Sequence, residues 1–168
     1  MKISTDFDAI VGFAREEAMR TGTYSIGPDH LFLGILRHRS NPAVASLEHQ
    51  GIDIEDCKKS IDARVFHEHC IPFSEEEQVR LGRDGSSTVN LAIAEAMGEG
   101  ADEADATHLL RAILKQQDCR AAEYLLRKGF RTGRGEASKK DKLRIQMPDA
   151  EQLGRLLSSI RINNKIVS

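Results

Sequence analysis

The chain has 168 residues, 40% hydrophobic and 30% charged, which is the composition of a soluble globular protein. It contains no apolar run of the ~18 residues that cross a bilayer, and acidic residues interrupt the segment where a signal peptide is apolar. These features predict a cytoplasmic protein outside the membrane. Its three cysteines, an odd number with wide spacing, indicate reduced thiols rather than a disulfide framework.

The net charge of −2 is distributed unevenly. Residues 127–144 carry eight Lys and Arg against two acidic residues, or +6, so the remaining residues carry −8. A basic segment can bind nucleic acid through phosphates, but this one contains a single aromatic residue, Phe130, and no stacking pattern. We expect a solvated linker, and no nucleic-acid partner.

The first helices can be predicted from apolar periodicity and capping residues. Apolar residues at steps of three and four predict an amphipathic helix over residues of about 5–20. Ser4 or Thr5 can cap its start, and Gly22 can follow its end. Pro28 begins a second helix after Gly27, because proline at the first helical position loses no hydrogen bond.

Two shorter helices complete this unit. Asn41 and Pro42 begin a third helix that ends at Gly51. Asp53 caps a fourth helix, whose buried face contains Ile54, Cys57, Ile61 and Val65.

The same pattern then recurs 78 residues later. Residues 7–51 align with 85–129 without a gap and share thirteen identical positions, including Glu17/Glu95, His30/His108 and the glycines at helix ends. Asp105 occupies the capping position of Gly27. Ser74 and Glu77 form a capping box that predicts an additional short helix before a break at Gly82–Ser87.

These patterns predict an all-α fold with a tandem repeat. We expect two four-helix units, about 3–66 and 74–130, related by a pseudo-twofold axis, with no sheet beyond a stray strand pair. Glycine and charge dominate 131–141, and apolar spacing returns after Pro148. Residues 131–168 are therefore predicted to form a basic linker and a C-terminal helix.

Residues 14–51 and 92–129 carry a family resemblance. Their pattern of A-x-x-E-A, a glycine, a helix-opening turn with histidine, and an alanine-rich helix ending in L-x-x-x-G resembles the repeats of the Clp N-terminal domain. That domain precedes the ATPase modules in the AAA+ unfoldase subunits of Clp proteases. The resemblance covers about residues 3–130. It implies a module that binds substrate or adaptor segments.

The chain departs from the ATPase part of such proteins. It contains no Gly-Lys pair, so the G-x-x-x-x-G-K-[ST] phosphate loop is absent from it. It shows no nucleophile elbow, no convincing carboxylate pair and no activated cysteine. We expect a stand-alone, non-enzymatic copy of the domain, without catalytic residues or cofactor.

The resemblance also implies candidate binding residues. The family's acidic residue, at the second position of each helix-opening turn, corresponds to Asp29 and, in repeat two, to Thr107. In some members this acidic pair holds the guanidinium of phosphoarginine. The candidate ligand- or peptide-binding residues are therefore Pro28, Asp29, Ala106 and Thr107. Alternatively, Asp29 only compensates the dipole of its own helix.

The histidines have structural and functional interpretations. His30 and His108 could bind a metal, but a first-turn histidine that holds a loop carbonyl is the interpretation we favour. The His67-Glu68-His69-Cys70 cluster offers imidazole and thiolate ligands without a fourth ligand at suitable spacing, so we expect no metal site.

The resemblance thus implies a protein-binding module that acts as an accessory or adaptor of a Clp-type unfoldase or protease. Its expected partners are protein segments, adaptor proteins or Clp subunits. The alternative is a sensor of a small or tagged ligand such as phosphoarginine, bound in a groove near Asp29 and Thr107.

Overall fold

The computed structural model of the protein describes residues 2–65 and 69–131. In repeat one the elements are β1 (Lys2–Ile3), α1 (Thr5–Arg20), β2 (Ser25–Ile26), α2 (Pro28–Arg37), α3 (Pro42–His49) and α4 (Ile54–Asp62). In repeat two they are a 3-10 helix (Phe73–Gln78), β3 (Arg80–Leu81), α5 (Arg83–Gly98), β4 (Glu103–Ala104), α6 (Ala106–Leu114) and α7 (Arg120–Arg127). The all-α, two-repeat prediction is confirmed.

Most helix starts and ends lie where the sequence predicts them, although α4 ends at Asp62, before Val65, which was expected on its buried face. Ser4 caps α1 by accepting a hydrogen bond from the Phe7 backbone N–H at 3.0 Å, and Asp53 caps α4 in the same way. The glycines after α1, α3, α5 and α7 have φ between 73° and 81°, the left-handed conformation that ends a helix: Gly22, Gly51, Gly100 and Gly129.

Two local predictions are wrong. Gly82–Ser87 is not a break, because α5 begins at Arg83 and passes through these residues. Gly85 is needed for packing, since a Cβ there would lie 2.1 Å from the Ile26 carbonyl oxygen. The short helix before it is a 3-10 helix that follows Pro72 and has no side-chain cap, so Ser74 does not form the predicted capping box.

Some predictions fall on residues that the structure does not describe. The counterpart of α4 in repeat two would span residues 132–140, which lie outside the described residues, as do the linker and C-terminal helix expected after Arg131.

The strand pairing shows how the repeats are related. Lys2 pairs with Glu103 and Ile3 with Ala104, while Arg80 pairs with Ser25 and Leu81 with Ile26, all in parallel register. Adding 78 to Lys2 and Ile3 gives Arg80 and Leu81, and adding 78 to Ser25 and Ile26 gives Glu103 and Ala104. The first strand of each repeat therefore pairs with the other repeat, as a pseudo-twofold axis requires.

Both repeats share one hydrophobic core. Helix α1 packs on α2 and α5 packs on α6, while α2 contacts α5, α6 and α7 of the opposite repeat. A single cluster of buried residues includes Phe7, Phe32, Leu109 and Phe130. Since apolar residues of both halves fill this cluster, the repeats form one folding unit.

The repeated glutamates are buried ion-pair centres. Glu17 is 5% exposed and lies 2.7 Å from an Arg20 nitrogen and 3.7 Å from an Arg37 nitrogen. Its counterpart Glu95 is 7% exposed and pairs with Lys115. Arg37 and Lys115 are also 78 residues apart, so the ion pair that joins α1 to α2 recurs between α5 and α6.

Helices α1 and α2 cross closely at Gly34. A Cβ at this position would lie 2.6 Å from the Ile10 carbonyl oxygen and 3.1 Å from the Ala14 nitrogen. Both atoms belong to the backbone of α1, so a larger residue would move one helix away from the other.

We predict that Gly34→Ala lowers the free energy of unfolding by about 1–3 kcal/mol, because overpacking outweighs the helix propensity gained with alanine. Urea denaturation measures the change. Gly27→Ala is the control, since its Cβ would meet only His30 Nδ1 at 3.8 Å, and it should cost less than about 1 kcal/mol. A Gly34→Ala protein as stable as the wild type would contradict the close crossing.

Candidate functional site

The helix-opening turn of repeat one is held by a histidine. Gly27 is the N-cap of α2, Pro28 its first residue and Asp29 its second. His30 is buried, and its Nδ1 accepts a hydrogen bond from the Gly27 backbone N–H at 3.0 Å. The histidine thus supplies the backward bond that glutamate or glutamine supplies in a capping box.

Repeat two builds the same turn with a stronger cap. The Asp105 carboxylate accepts hydrogen bonds from the backbone N–H of Thr107 at 2.8 Å and of His108 at 3.2 Å. His108 Nδ1 in turn accepts from the Asp105 N–H at 3.0 Å. The expectation that His30 and His108 hold a loop carbonyl was therefore wrong in detail, because each accepts from the N-cap N–H.

These bonds assign the histidine tautomers. Because Nδ1 accepts, Nε2 of each neutral ring carries the proton. In repeat one Nε2 lies 3.3 Å from the hydroxyl oxygen of Thr21, and in repeat two it lies 2.7 Å from Oε2 of Glu99. Thr21 and Glu99 are themselves equivalent, 78 residues apart. The same ring position therefore faces a neutral partner in one repeat and a carboxylate in the other.

The change of partner alters the electrostatics of the two turns. Burial lowers the pKa of His30 and outweighs the nearby carboxylates of Asp29 and Glu17. Burial alone would raise the pKa of Glu99, but hydrogen bonds from His108 and Arg111 prevail and lower it to about 2.

Asp29 reaches across to the opposite repeat. Its Oδ1 accepts a hydrogen bond from the Ala121 backbone N–H at 2.9 Å and lies 3.4 Å from Cys119 Sγ. Its Oδ2 lies 3.4 Å from the Arg120 nitrogen. Cys119 is the N-cap of α7 and makes no side-chain capping bond. Asp29 therefore caps α7 from α2, a role that neither of the predicted alternatives included.

Thr107 has no matching task. The pseudo-twofold counterpart of α7 is α3. The side chain of Asn41 caps α3 by accepting a 2.9 Å hydrogen bond from the Val44 N–H. The first residue of α3 is Pro42, which has no N–H to satisfy. Within the described residues the Thr107 hydroxyl makes no hydrogen bond. An acid at this position is not needed to complete α3.

The other two candidate residues, Ala106 and Pro28, differ in accessibility. Ala106 is fully buried at the start of α6, whereas Pro28 is half-buried. No hydrogen bond or ion pair joins residues 27–30 to residues 105–108 in the part of the chain that the structure describes. The helices that carry the two turns, α2 and α6, contact each other, and each also contacts the third helix of the other repeat.

A protein-family profile matches this arrangement. The family described as "Clp repeat (R) N-terminal domain" matches residues 2–129, which cover both repeats. The chain belongs to this family. The resemblance identified in the sequence is confirmed.

Individual relatives are distant. The chain is 22% identical over 116 residues to a Bacillus subtilis (strain 168) protein named "Negative regulator of genetic competence ClpC/MecB", a match that spans 69% of this chain and 14% of that protein. The N-terminal domain of the caseinolytic protease associated chaperone ClpD from Arabidopsis thaliana has the same fold. Its crystal structure gives a TM-score of 0.61 at 16% identity and covers 92% of this chain and 94% of its own.

In residues 2–65 and 69–131 no three His, Cys, Asp or Glu side chains cluster in a way that could hold a metal ion. His67 and Glu68 of the His67–Cys70 cluster lie outside this part. None of the described helices is both long and apolar enough to span a membrane. All three cysteines are free thiols.

The cap supplied by Asp29 generates a stability prediction. Asp29→Ala should lower the free energy of unfolding by about 0.5–2 kcal/mol, because it exposes the first N–H groups of α7 without a partner. Thr107→Ala should change it by less than about 0.5 kcal/mol. Urea denaturation of both variants gives the comparison. Asp29→Asn removes the charge but keeps a side-chain carbonyl that can accept the hydrogen bond from α7. If the Asn variant is as unstable as the Ala variant, the capping role of Asp29 is contradicted.

The buried neutral His30 predicts a pH dependence. Its folded pKa lies below the unfolded value of about 6.5, so the unfolded state binds the extra proton first. This contribution is complete above pH ~6.5 and is lost as the pH falls below it. The denaturation midpoint of the wild type should therefore be lower at pH ~5.5 than at pH ~7.5. His30→Gln keeps an acceptor for the Gly27 N–H and should show a smaller difference; an unchanged difference would exclude His30 as its source.

Proposed function

We propose that this Clp N-terminal domain is a non-enzymatic protein-binding module that recognises substrate or adaptor segments, as an accessory or adaptor of a Clp-type unfoldase or protease. The observation that carries the proposal is the family match over both repeats. The chain spans only 14% of the ClpC/MecB relative, so what that protein does as a whole comes to this chain only as part of the proposal.

The chemistry of the described side chains supports binding rather than catalysis. Burial raises the pKa of the Cys57 and Cys119 thiols to about 12, so neither supplies a thiolate at neutral pH. His30 and His108 are held by capping bonds, and Glu17 and Glu95 by ion pairs. The best-placed acids and bases therefore stabilise the scaffold.

The second candidate is a sensor of phosphoarginine or a similar tagged residue near Asp29 and Thr107. One observation favours repeat one as its site. Among the described residues, the only hydrogen bond to Asp29 Oδ2 is a long one, 3.4 Å from the Arg120 N–H, so this oxygen keeps acceptor capacity for a guanidinium. Thr107 offers a neutral hydroxyl instead. A ligand at Asp29 would also share the carboxylate with α7, which ties recognition to the cap.

Affinity capture tests the proposed function. The immobilised chain, incubated with native extract, should retain Clp subunits or a defined set of protein segments identified by mass spectrometry, while a heat-unfolded sample of the same chain should not. Calorimetry should show no micromolar binding of ATP, because the chain has no phosphate loop. Retention of no partner beyond the unfolded control, or turnover of a nucleotide, would contradict the proposal.

Free phosphoarginine distinguishes the second candidate in the same assay series. Saturable binding that Asp29→Ala abolishes and Thr107→Ala leaves intact would support a sensor whose repeats are unequal. Binding that neither substitution changes would place the ligand elsewhere.

A further inference from the structure

A polar groove lies between helices α4 and α7, which also contact each other directly. It encloses about 580 Å³, within the roughly 300–1,000 Å³ typical of ligand sites. We call it the α4–α7 groove. Its walls include Asp56, Ser60, Arg64, Tyr124, Arg127 and Lys128. It lies toward the C-terminal end of α7, whereas Asp29 caps the N-terminal end of the same helix.

The cations of this groove stand out on an acidic body. The described residues contain 16 Lys and Arg against 21 Asp and Glu, a formal charge of −5. Three cations, Arg64, Arg127 and Lys128, nevertheless line this one groove, with a single carboxylate, Asp56, among its wall residues. Such a local reversal of charge attracts anionic partners.

These cations have weak internal counterions. Arg64 lies 3.6 Å and Arg127 3.9 Å from the same oxygen of Glu123, whose side chain is 62% exposed. Lys128 Nζ lies 5.6 Å from the centre of the Tyr124 ring and makes no ion pair within the described residues. Long, exposed and shared pairs of this kind contribute little, so an incoming oxyanion can compete for the cations.

The Tyr124 wall limits what can bind. The Tyr124 hydroxyl donates a 2.8 Å hydrogen bond to Asp56, which fixes the ring between α4 and α7. The residue is 6% exposed and Lys128 lies over its ring, so it offers no free face for base stacking. The groove therefore suits a polypeptide better than a single-stranded nucleic acid, and it is much larger than a lone phosphate requires.

We infer that the α4–α7 groove binds an acidic segment of a partner protein, whose oxyanions are carboxylates or phosphorylated side chains. This site is additional to the helix-opening turns, and it rests on the proposed function in that the occupant is a protein segment. The competing explanation is that the cations only neutralise the carbonyl ends of α4 and α7.

Fluorescence anisotropy with the purified full chain tests the inference. The probe is a labelled octapeptide of alternating Gly and Glu; the matched peptides replace Glu by Gln or by phosphoserine. We expect the Glu peptide to bind in a salt-sensitive way and the Gln peptide to bind at least ten-fold more weakly, since exposed charge pairs are screened. The phosphoserine peptide shows which oxyanion is preferred. Equal binding of the Glu and Gln peptides would overturn the inference.

Matched charge variants locate the site. Arg127→Gln with Lys128→Gln removes two groove cations and should weaken binding of the Glu peptide about ten-fold. Lys58→Gln with Lys59→Gln removes the same charge from exposed positions of α4 outside the groove and should weaken it less than about two-fold. Equal losses from the two variants would indicate attraction by overall charge and refute the groove.

Amide NMR of the wild-type chain with the Glu peptide locates the binding site without any substitution, so the inference can be tested even if a variant fails to fold. The Glu peptide should shift signals of residues 60–64 and 124–128, and shifts confined to other residues would place the peptide elsewhere. If captured partners bind the groove variant as well as the wild type, the groove inference fails while the proposed function stands. If the wild type captures no partner yet binds the peptide at the groove, the proposed function fails alone.

Discussion

Every helix must find partners for its first N–H groups, and in this domain helix α7 finds one in the opposite repeat. Its N-cap residue, Cys119, makes no side-chain capping bond, and the carboxylate of Asp29 accepts from the Ala121 N–H instead. The strands cross between the repeats in the same way, as β1 pairs with β4 and β3 with β2. Each repeat therefore supplies hydrogen bonds that the other lacks, in addition to the apolar residues that both contribute to the shared core.

The two repeats differ in how the N-terminus of the third helix is capped and in the residue that the opposite repeat offers there. Asn41 and Pro42 make α3 self-sufficient, and α6, which contacts α3, has the neutral Thr107 at the position equivalent to Asp29. In the equivalent contact Cys119 leaves α7 without a cap, and the approaching residue is the acid Asp29. The carboxylate of Asp29 thus replaces the capping side chain that α7 lacks. Asp29 therefore has a structural role whether or not a ligand binds to it.

The helices could be predicted because their signals are local. Apolar periodicity, capping residues such as Ser4 and Asp53, and the glycines at helix ends act within a few residues of each other. The break at Gly82–Ser87 was predicted wrongly because Gly85 serves a tertiary contact with Ile26, for which the local sequence carries no signal. Composition alone could not distinguish a turn glycine from a packing glycine.

The site was harder to predict because its partners are distant in sequence. Asp29 and Ala121 are 92 residues apart, so only the fold reveals their bond. A signal did exist, because Cys119-Arg120 lacks the capping side chain that Asn41 provides at the equivalent position of repeat one. The α4–α7 groove had no such signal. The sequence placed residues 127–144 in a solvated linker, whereas the structure places Arg127 in α7 and Lys128 at its C-cap, and the groove forms only where α4 and α7 pack together.

Helix α7 connects the two candidate regions of this domain. It has eight residues and so spans roughly 12 Å, a distance that an extended segment of about four residues covers. At its N-terminal end Asp29 presents a carboxylate, which suits a cationic group; toward its C-terminal end Arg127 and Lys128 suit anionic ones. A bound protein segment that used both ends would need opposite charges a few residues apart. Of such a segment only the acidic part would occupy the α4–α7 groove, and the cationic part would lie at Asp29.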